Sequence, residues 1–147
     1  MTPHVLARLG EPGVVAHGLR VKPGKPTVLG AVGAKPVIGL PGNPTSALTI
    51  LDAVCAPVIA ALTGAVAPLQ TVRARLSDPV RKRPGWTWYV PMRVETAGDG
   101  RIATPPPIRS SQVSLPARAG GYATIGETVE DLPVGADVEV RILEGTL

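Results

Sequence analysis

Residues 36–62 read PVIGLPGNPTSALTILDAVCAPVIAAL, and the pattern changes character twice within them. Pro36 to Leu40 is a short apolar run of the kind expected in a buried strand. Pro41-Gly42-Asn43-Pro44 is a turn. Thr45 to Leu62 is too long for a strand and rich in Ala and Leu, so it reads as a helix. Asn43 suits the N-cap, Pro44 the first helical position and Gly64 the stop. Ala47, Leu48, Ile50, Leu51, Val54, Val58, Ile59 and Leu62 cover nearly the whole circumference, which predicts a helix buried on several sides. Pro57 predicts a kink after its third turn.

Upstream of this segment, Thr2 can cap and Pro3 can open a short helix over His4–Leu9, which Gly10 ends. Val14 to Val21 and Thr27 to Val32 are β-prone runs separated by Pro23-Gly24. Downstream, Gly64 to Gln70 reads as a linker. Beyond it the pattern is strands and turns: Thr71–Leu76, Trp86–Glu95, Arg101–Thr104, Tyr122–Ile125 and Asp137–Leu143. Gly98-Asp99-Gly100 is a hairpin signal, and Pro105-Pro106-Pro107 is a stiff extended connector. The organisation expected is a small α/β unit over residues 1–66 followed by a small β unit over 67–147.

The chain has 147 residues, with 17 glycines and 17 prolines, a content that suggests disorder. The 44% hydrophobic and 18% charged fractions oppose that reading, because enough apolar surface exists for a core. Aromatic content of 3% leaves few stacking platforms for single-stranded nucleic acid. The lone Cys55 excludes an internal disulfide framework and fits a reducing, cytoplasmic setting. No signal peptide is visible, and the run from Ile50 to Leu62 reads as too short to cross a bilayer. Net charge of +4 suits a small anion or a polymer equally. Arg81-Lys82-Arg83 reads as a solvated basic turn. His4 and His17 lie apart with no acidic neighbours at ligand spacing, so no metal site is assigned.

Two glycine–proline loops carry the chemistry. Lys22-Pro23-Gly24-Lys25-Pro26 joins two strands. Leu40-Pro41-Gly42-Asn43-Pro44 runs from a strand into a helix, where unpaired N–H groups and the dipole favour an anion. Gly42 lets backbone approach a ligand closely. Lys22 and Lys25 could meet an oxyanion if the two loops lie side by side. Ordinary turn and helix-start chemistry explains the same residues.

KPGKP (Lys22–Pro26), GLPGNPTSA (Gly39–Ala47) and the long apolar helix resemble the molybdopterin molybdenumtransferase family, which includes the E domain of gephyrin. The resemblance continues through Lys82-Arg83-Pro84-Gly85, Ser110-Ser111 and the stretch from Leu132 to Val140. It implies an α/β fold class: part of a three-layer α/β unit related to molybdopterin adenylyltransferase, then a small all-β, barrel-like domain. The implied reaction inserts molybdate into adenylylated molybdopterin with magnesium and releases AMP. Lys25, Pro41 and Pro44 would then line the pterin-phosphate and molybdate pocket, with Lys22, Gly42 and Asn43 beside them. Ser110 or Ser111 would face the cleft from the second domain, the cleft lying between the subunits of a homodimer. The match is to the family's C-terminal portion. Its acidic residues for metal and catalysis are expected outside that portion, so no catalytic residue is assigned. Asp52 reads as structural, and Arg93 stands nearest to where the family places an arginine. The expectation is an enzyme part, incomplete alone, that works as a homodimer or with a chain carrying the rest.

Two other readings compete. One is a module that binds molybdopterin or a similar anion without turnover. The other, a nucleic-acid-binding domain, rests on the basic pI alone and lacks a basic aromatic face. Nucleic acid and membrane are therefore not expected partners.

Overall fold

The structure, a computed structural model, describes residues 2–65, 70–106 and 119–143. The chain separates into two compact units, Met1–Val66 and Ala67–Leu147.

In the first unit, helix α1 (Thr2–Leu9) lies on strands β1 (Pro12–His17) and β3 (Val28–Val32) and buries Leu6. The packing is close. A Cβ on Gly30 of β3 would stand 2.3 Å from the Gly13 carbonyl oxygen and 2.4 Å from Leu6 Cδ2, so only glycine fits beneath the helix. Strand β4 (Lys35–Gly39) returns antiparallel to β3, giving a three-stranded sheet in the order β1-β3-β4. The β-prone run expected over Val14–Val21 is broken. β1 stops at His17, and the chain turns back on itself at Gly18 and Leu19, whose N–H groups donate to the Thr27 and Lys25 carbonyls. Extended structure resumes only at β2 (Val21–Lys22).

The helix over Pro44–Thr63 forms as its caps dictate. Asn43 has extended backbone (φ −78°, ψ 127°) and accepts from Ser46 N–H, Pro44 stands at the first position, and Gly64 closes the end in the left-handed region. Three pieces make it up: α2 (Pro44–Ile50), a π turn (Leu51–Cys55) and α3 (Ala56–Thr63). Pro57 has no N–H and its ring crowds the carbonyl of Ala53, four residues back, so the helix widens ahead of it and Ala56 N–H donates to the Leu51 carbonyl. Five residues along an α-helix point about 140° apart. The wider turn instead lets Ile50 and Cys55 both bury. The expected burial on several sides is not met: Leu48, Leu51, Ile59 and Leu62 are exposed. The length expectation is also corrected, since the 20-residue helix is long and apolar enough to cross a membrane by length and composition.

The second unit is a closed five-stranded barrel. β7 (Thr87–Ala97), β8 (Gly100–Thr104), β5 (Thr71–Leu76), β11 (Asp137–Ile142) and β9 (Gly121–Ile125) pair in that order, and β9 pairs back onto β7. All these contacts are antiparallel except β5 with β8. Alternation supplies the core: Ala74 and Leu76 of β5 and Val138 and Val140 of β11 point inward around Met92 and Ala103, while Arg73, Arg75, Asp137 and Glu139 point outward. Arg75 and Asp137 form an exposed cross-strand ion pair.

Strands β6 (Val80–Arg81) and β10 (Asp131–Leu132) form a small side ladder too short to show any periodicity. Beside it, the expected solvated turn at Arg81-Lys82-Arg83 is half wrong. Arg81 and Arg83 are exposed, but Lys82 is 7% exposed. Its ammonium donates to the carbonyls of Gly126 (2.7 Å) and Val129 (2.6 Å), tying the turn after β9 to the strand.

Candidate functional site

The first glycine–proline loop packs on the helix that the second one opens. Gly24, at the apex of the first loop, has φ +116°, and a Cβ there would come within 2.5 Å of Ile50 Cδ1 and 2.7 Å of Ile50 Cγ1. The loop backbone therefore rests directly on the second turn of the helix. Ile50 is six residues past Pro44, about 9 Å along the axis. Thr27 locks the loop from below. It is wholly buried, its hydroxyl donates to the Gly24 carbonyl at 2.6 Å, and its N–H donates to the same oxygen at 3.0 Å. Sequence reasoning misses Thr27 and Ile50. A threonine three residues after a Pro-Gly glycine is a recognisable turn-stapling signal, whereas nothing local marks Ile50 as the loop's floor.

Around this contact, Lys22, Lys25, Gly42, Asn43 and Pro44 are exposed, while Pro41 is buried and anchors its loop. The helix tip is sparing with donors. Pro44 has no N–H, Ser46 N–H goes to Asn43 Oδ1 (3.1 Å), and Ala47 N–H goes to the Asn43 carbonyl (2.9 Å). The amides of Gly42, Asn43 and Thr45 belong to this helix tip and its entry loop, at the positive end of the dipole. The Ser46 hydroxyl also turns toward Asn43 Oδ1, at 3.4 Å.

Charge favours an anion. From Pro12 to Leu51 the chain carries Arg20, Lys22, Lys25 and Lys35 and no Asp or Glu. The same fact argues against a metal here. Among the described residues no group of three or more His, Cys, Asp or Glu could hold an ion, so the magnesium implied by the resemblance does not fit these loops.

The remaining expected residues fall elsewhere. Ser110 and Ser111 lie outside the described residues. Arg93 is exposed on β7 and its guanidinium pairs with the Glu95 carboxylate two residues on. Cys55 is buried in the π turn, and desolvation pushes its thiol up from the ordinary value. Tyr89 packs edge-on against Tyr122 with ring centroids 5.6 Å apart, and burial pushes its phenol up likewise.

Residues 1–61 match the family described as a probable molybdopterin binding domain, and residues 73–143 match the MoeA C-terminal region, domain IV. A MoeA protein of Pyrococcus horikosii has the same fold over 97% of this chain, with a TM-score of 0.80 and 35% identity. The chain belongs to the MoeA family. A molybdenum cofactor biosynthesis protein of Pyrococcus furiosus matches 88% of it (TM-score 0.76, 26% identity). Molybdopterin molybdenumtransferase 2 of Mycobacterium tuberculosis is 26% identical over 90% of it. This MoeA chain spans about a third of the length of that transferase and of the Pyrococcus horikosii protein, and 45% of the Pyrococcus furiosus one.

Proposed function

We propose that this MoeA chain supplies the oxyanion-holding part of the site at which molybdate is inserted into adenylylated molybdopterin with release of AMP, in molybdenum cofactor biosynthesis. The single observation that carries the reading is the packing of the Lys22–Pro26 loop onto the helix that Asn43 caps. The two segments so joined carry Lys22 and Lys25, the Gly42 and Thr45 amides and the positive end of the helix dipole, in a stretch of sequence without a carboxylate. An oxyanion bound there meets mainly ammonium groups, with two backbone donors fixing its position. The loops are stiffened by four prolines and Thr27, so little ordering entropy is lost on binding.

Within this reading the chain binds and orients, and Lys22 and Lys25 offset charge on the phosphate and on the incoming molybdate. The carboxylates that transfer chemistry with a divalent ion requires come from polypeptide outside residues 12–51. On this reading residues 12–51 bind and orient the anion and do not themselves transfer it.

Titrating the chain with molybdate and with adenylylated molybdopterin tests the reading. Lys25→Ala is expected to weaken binding about tenfold, the effect of removing one charge-assisted contact. Asn43→Asp keeps the cap and adds negative charge at the dipole's favourable end, so it leaves the melting temperature unchanged or raised. It nevertheless places a carboxylate against the anion and is expected to weaken binding at least as much. Tight binding that ignores both substitutions, or no binding by the folded chain, refutes the proposal.

A further inference from the structure

Among the described residues, the buried polar side chains are Thr27 and Lys82. Lys82 ties a turn of the barrel. Thr27 lies in the first unit, two residues after the exposed Lys25, and the bonds around it hold Lys25 from both sides. The direction in which a side chain leaves the backbone is set by the two planar peptide groups that flank it. The group before Lys25 is fixed at the Gly24 carbonyl, which accepts from the Thr27 hydroxyl at 2.6 Å and from the Thr27 N–H at 3.0 Å. The group after it is fixed at the Lys25 carbonyl, which accepts from the Leu19 N–H at 2.9 Å. Gly24 is itself buried against Ile50, so the loop cannot sink further toward the helix. Thr27 is pinned in turn: its carbonyl accepts from the Gly18 N–H at 3.1 Å, and β3 begins at the next residue.

The N–H bond from Thr27 to the Gly24 carbonyl is the ordinary closure of a four-residue turn. The hydroxyl bond is an addition. A carbonyl held by one donor can rock about it; two donors from one β-branched residue, itself stiff at χ1, hold it in two directions.

We propose that Thr27 is a positioning residue for the oxyanion site: its hydroxyl, acting through the Gly24 carbonyl, aims Lys25. The inference rests on the reading of the Lys22–Pro26 loop as oxyanion-holding, and deepens it. Thr27 is wholly buried and meets no ligand. Its effect on binding passes through the root of the Lys25 stem, because a long flexible side chain rooted off-line loses more of its freedom to bring the ammonium to the same point. A threonine that served the fold alone would behave differently. Loss of its hydroxyl would lower stability and leave the contribution of Lys25 to binding unchanged.

The test titrates molybdate and adenylylated molybdopterin into the full chain and into Thr27→Val, Thr27→Ser, Lys25→Ala and Thr27→Val/Lys25→Ala. Thr27→Val is expected to weaken binding about tenfold, and Thr27→Ser, which keeps the hydroxyl, to restore it to within about twofold. Lys25→Ala, costing about tenfold in the parent chain, should cost less than about twofold in the Thr27→Val background, since the two residues act as one. If Thr27→Val does not fold, Thr27→Cys, a weaker donor at the same place, replaces it in the cycle. Amide hydrogen exchange reads the same device without ligand: the Leu19 amide should exchange at least about tenfold faster in Thr27→Val while residues 28–32 stay as they were. Unaltered Leu19 exchange, failure of Thr27→Ser to restore affinity, or a Lys25→Ala penalty as large in the Thr27→Val background as in the parent overturns the inference. Absence of binding by the folded parent chain overturns the proposed function instead, and the aiming of Lys25 then stands or falls on the Leu19 exchange.

Discussion

Gly24→Ala probes the contact on which the site is built. The new methyl would stand 2.5 Å from Ile50 Cδ1, 2.7 Å from Ile50 Cγ1 and 3.3 Å from Val21 Cγ2. Ile50 has no exposed surface into which it could retreat. Overpacking of this kind costs about 1–3 kcal/mol, and a non-glycine residue at φ +116° adds about 1–2 kcal/mol of backbone strain. The expected total is about 2–5 kcal/mol, a large share of the stability of a small unit. Gly18→Ala is the control: Gly18 also has positive φ, +87°, but nothing lies within 4 Å of its Cβ position, so it should lose only the strain of about 1–2 kcal/mol. Urea unfolding of both variants, of Ile50→Ala and of Gly24→Ala/Ile50→Ala gives the coupling. Ile50→Ala alone should cost about 2–5 kcal/mol as a buried truncation. In the double variant the removed Cγ1 and Cδ1 vacate the space the new methyl needs, so the loss should fall short of the sum by about 1–3 kcal/mol. Additivity to within about 0.5 kcal/mol would mean that loop and helix are not in contact, and the account of the site would fail with it.

Gly42→Ala separates ligand from fold: φ is not positive and its Cβ position meets nothing within 4 Å, so stability should hold to within about 0.5 kcal/mol while oxyanion affinity in a titration drops. Lys82→Met should destabilise the barrel by about 2–4 kcal/mol in thermal unfolding, because it leaves the Gly126 and Val129 carbonyls without their donor. Burial holds Cys55 and Tyr89 protonated beyond their ordinary values of 9.0 and 10.0, so their contribution to stability is complete below about pH 9 and is lost as pH rises through the native values. Tyr89→Phe should therefore flatten the alkaline limb of a stability-against-pH curve, most visibly above pH 10.

What is legible in the sequence is what short-range chemistry fixes. Asn43, Pro44 and Gly64 bound the helix wherever the chain is placed, because caps act within one turn. Gly98-Asp99 marks a hairpin for the same reason, and strict alternation at Val138 and Val140 announces a strand with one face inside. Expectations fail where a residue's state depends on a distant partner. Lys82 reads as one of three surface cations, and only the carbonyls of Gly126 and Val129, more than forty residues away, make it a buried clamp. Ile50 reads as one apolar helix position among eight, and only Gly24 makes it the floor of the Lys22–Pro26 loop.

The helix itself is the most instructive case, because its composition reads correctly and its burial does not. An apolar circumference states that a helix must be covered on several sides; it carries no information about which polypeptide does the covering. The same division runs through the candidate site. Holding an oxyanion needs donors and positive charge within a few residues of two loops, and the first of those loops packs on the helix that the second one opens. The proposed release of AMP with a divalent ion needs oriented carboxylates, and the segment that forms both loops has none. On the proposed reading, the loops of the first unit hold the anion, and the carboxylates that release of AMP requires lie outside residues 12–51.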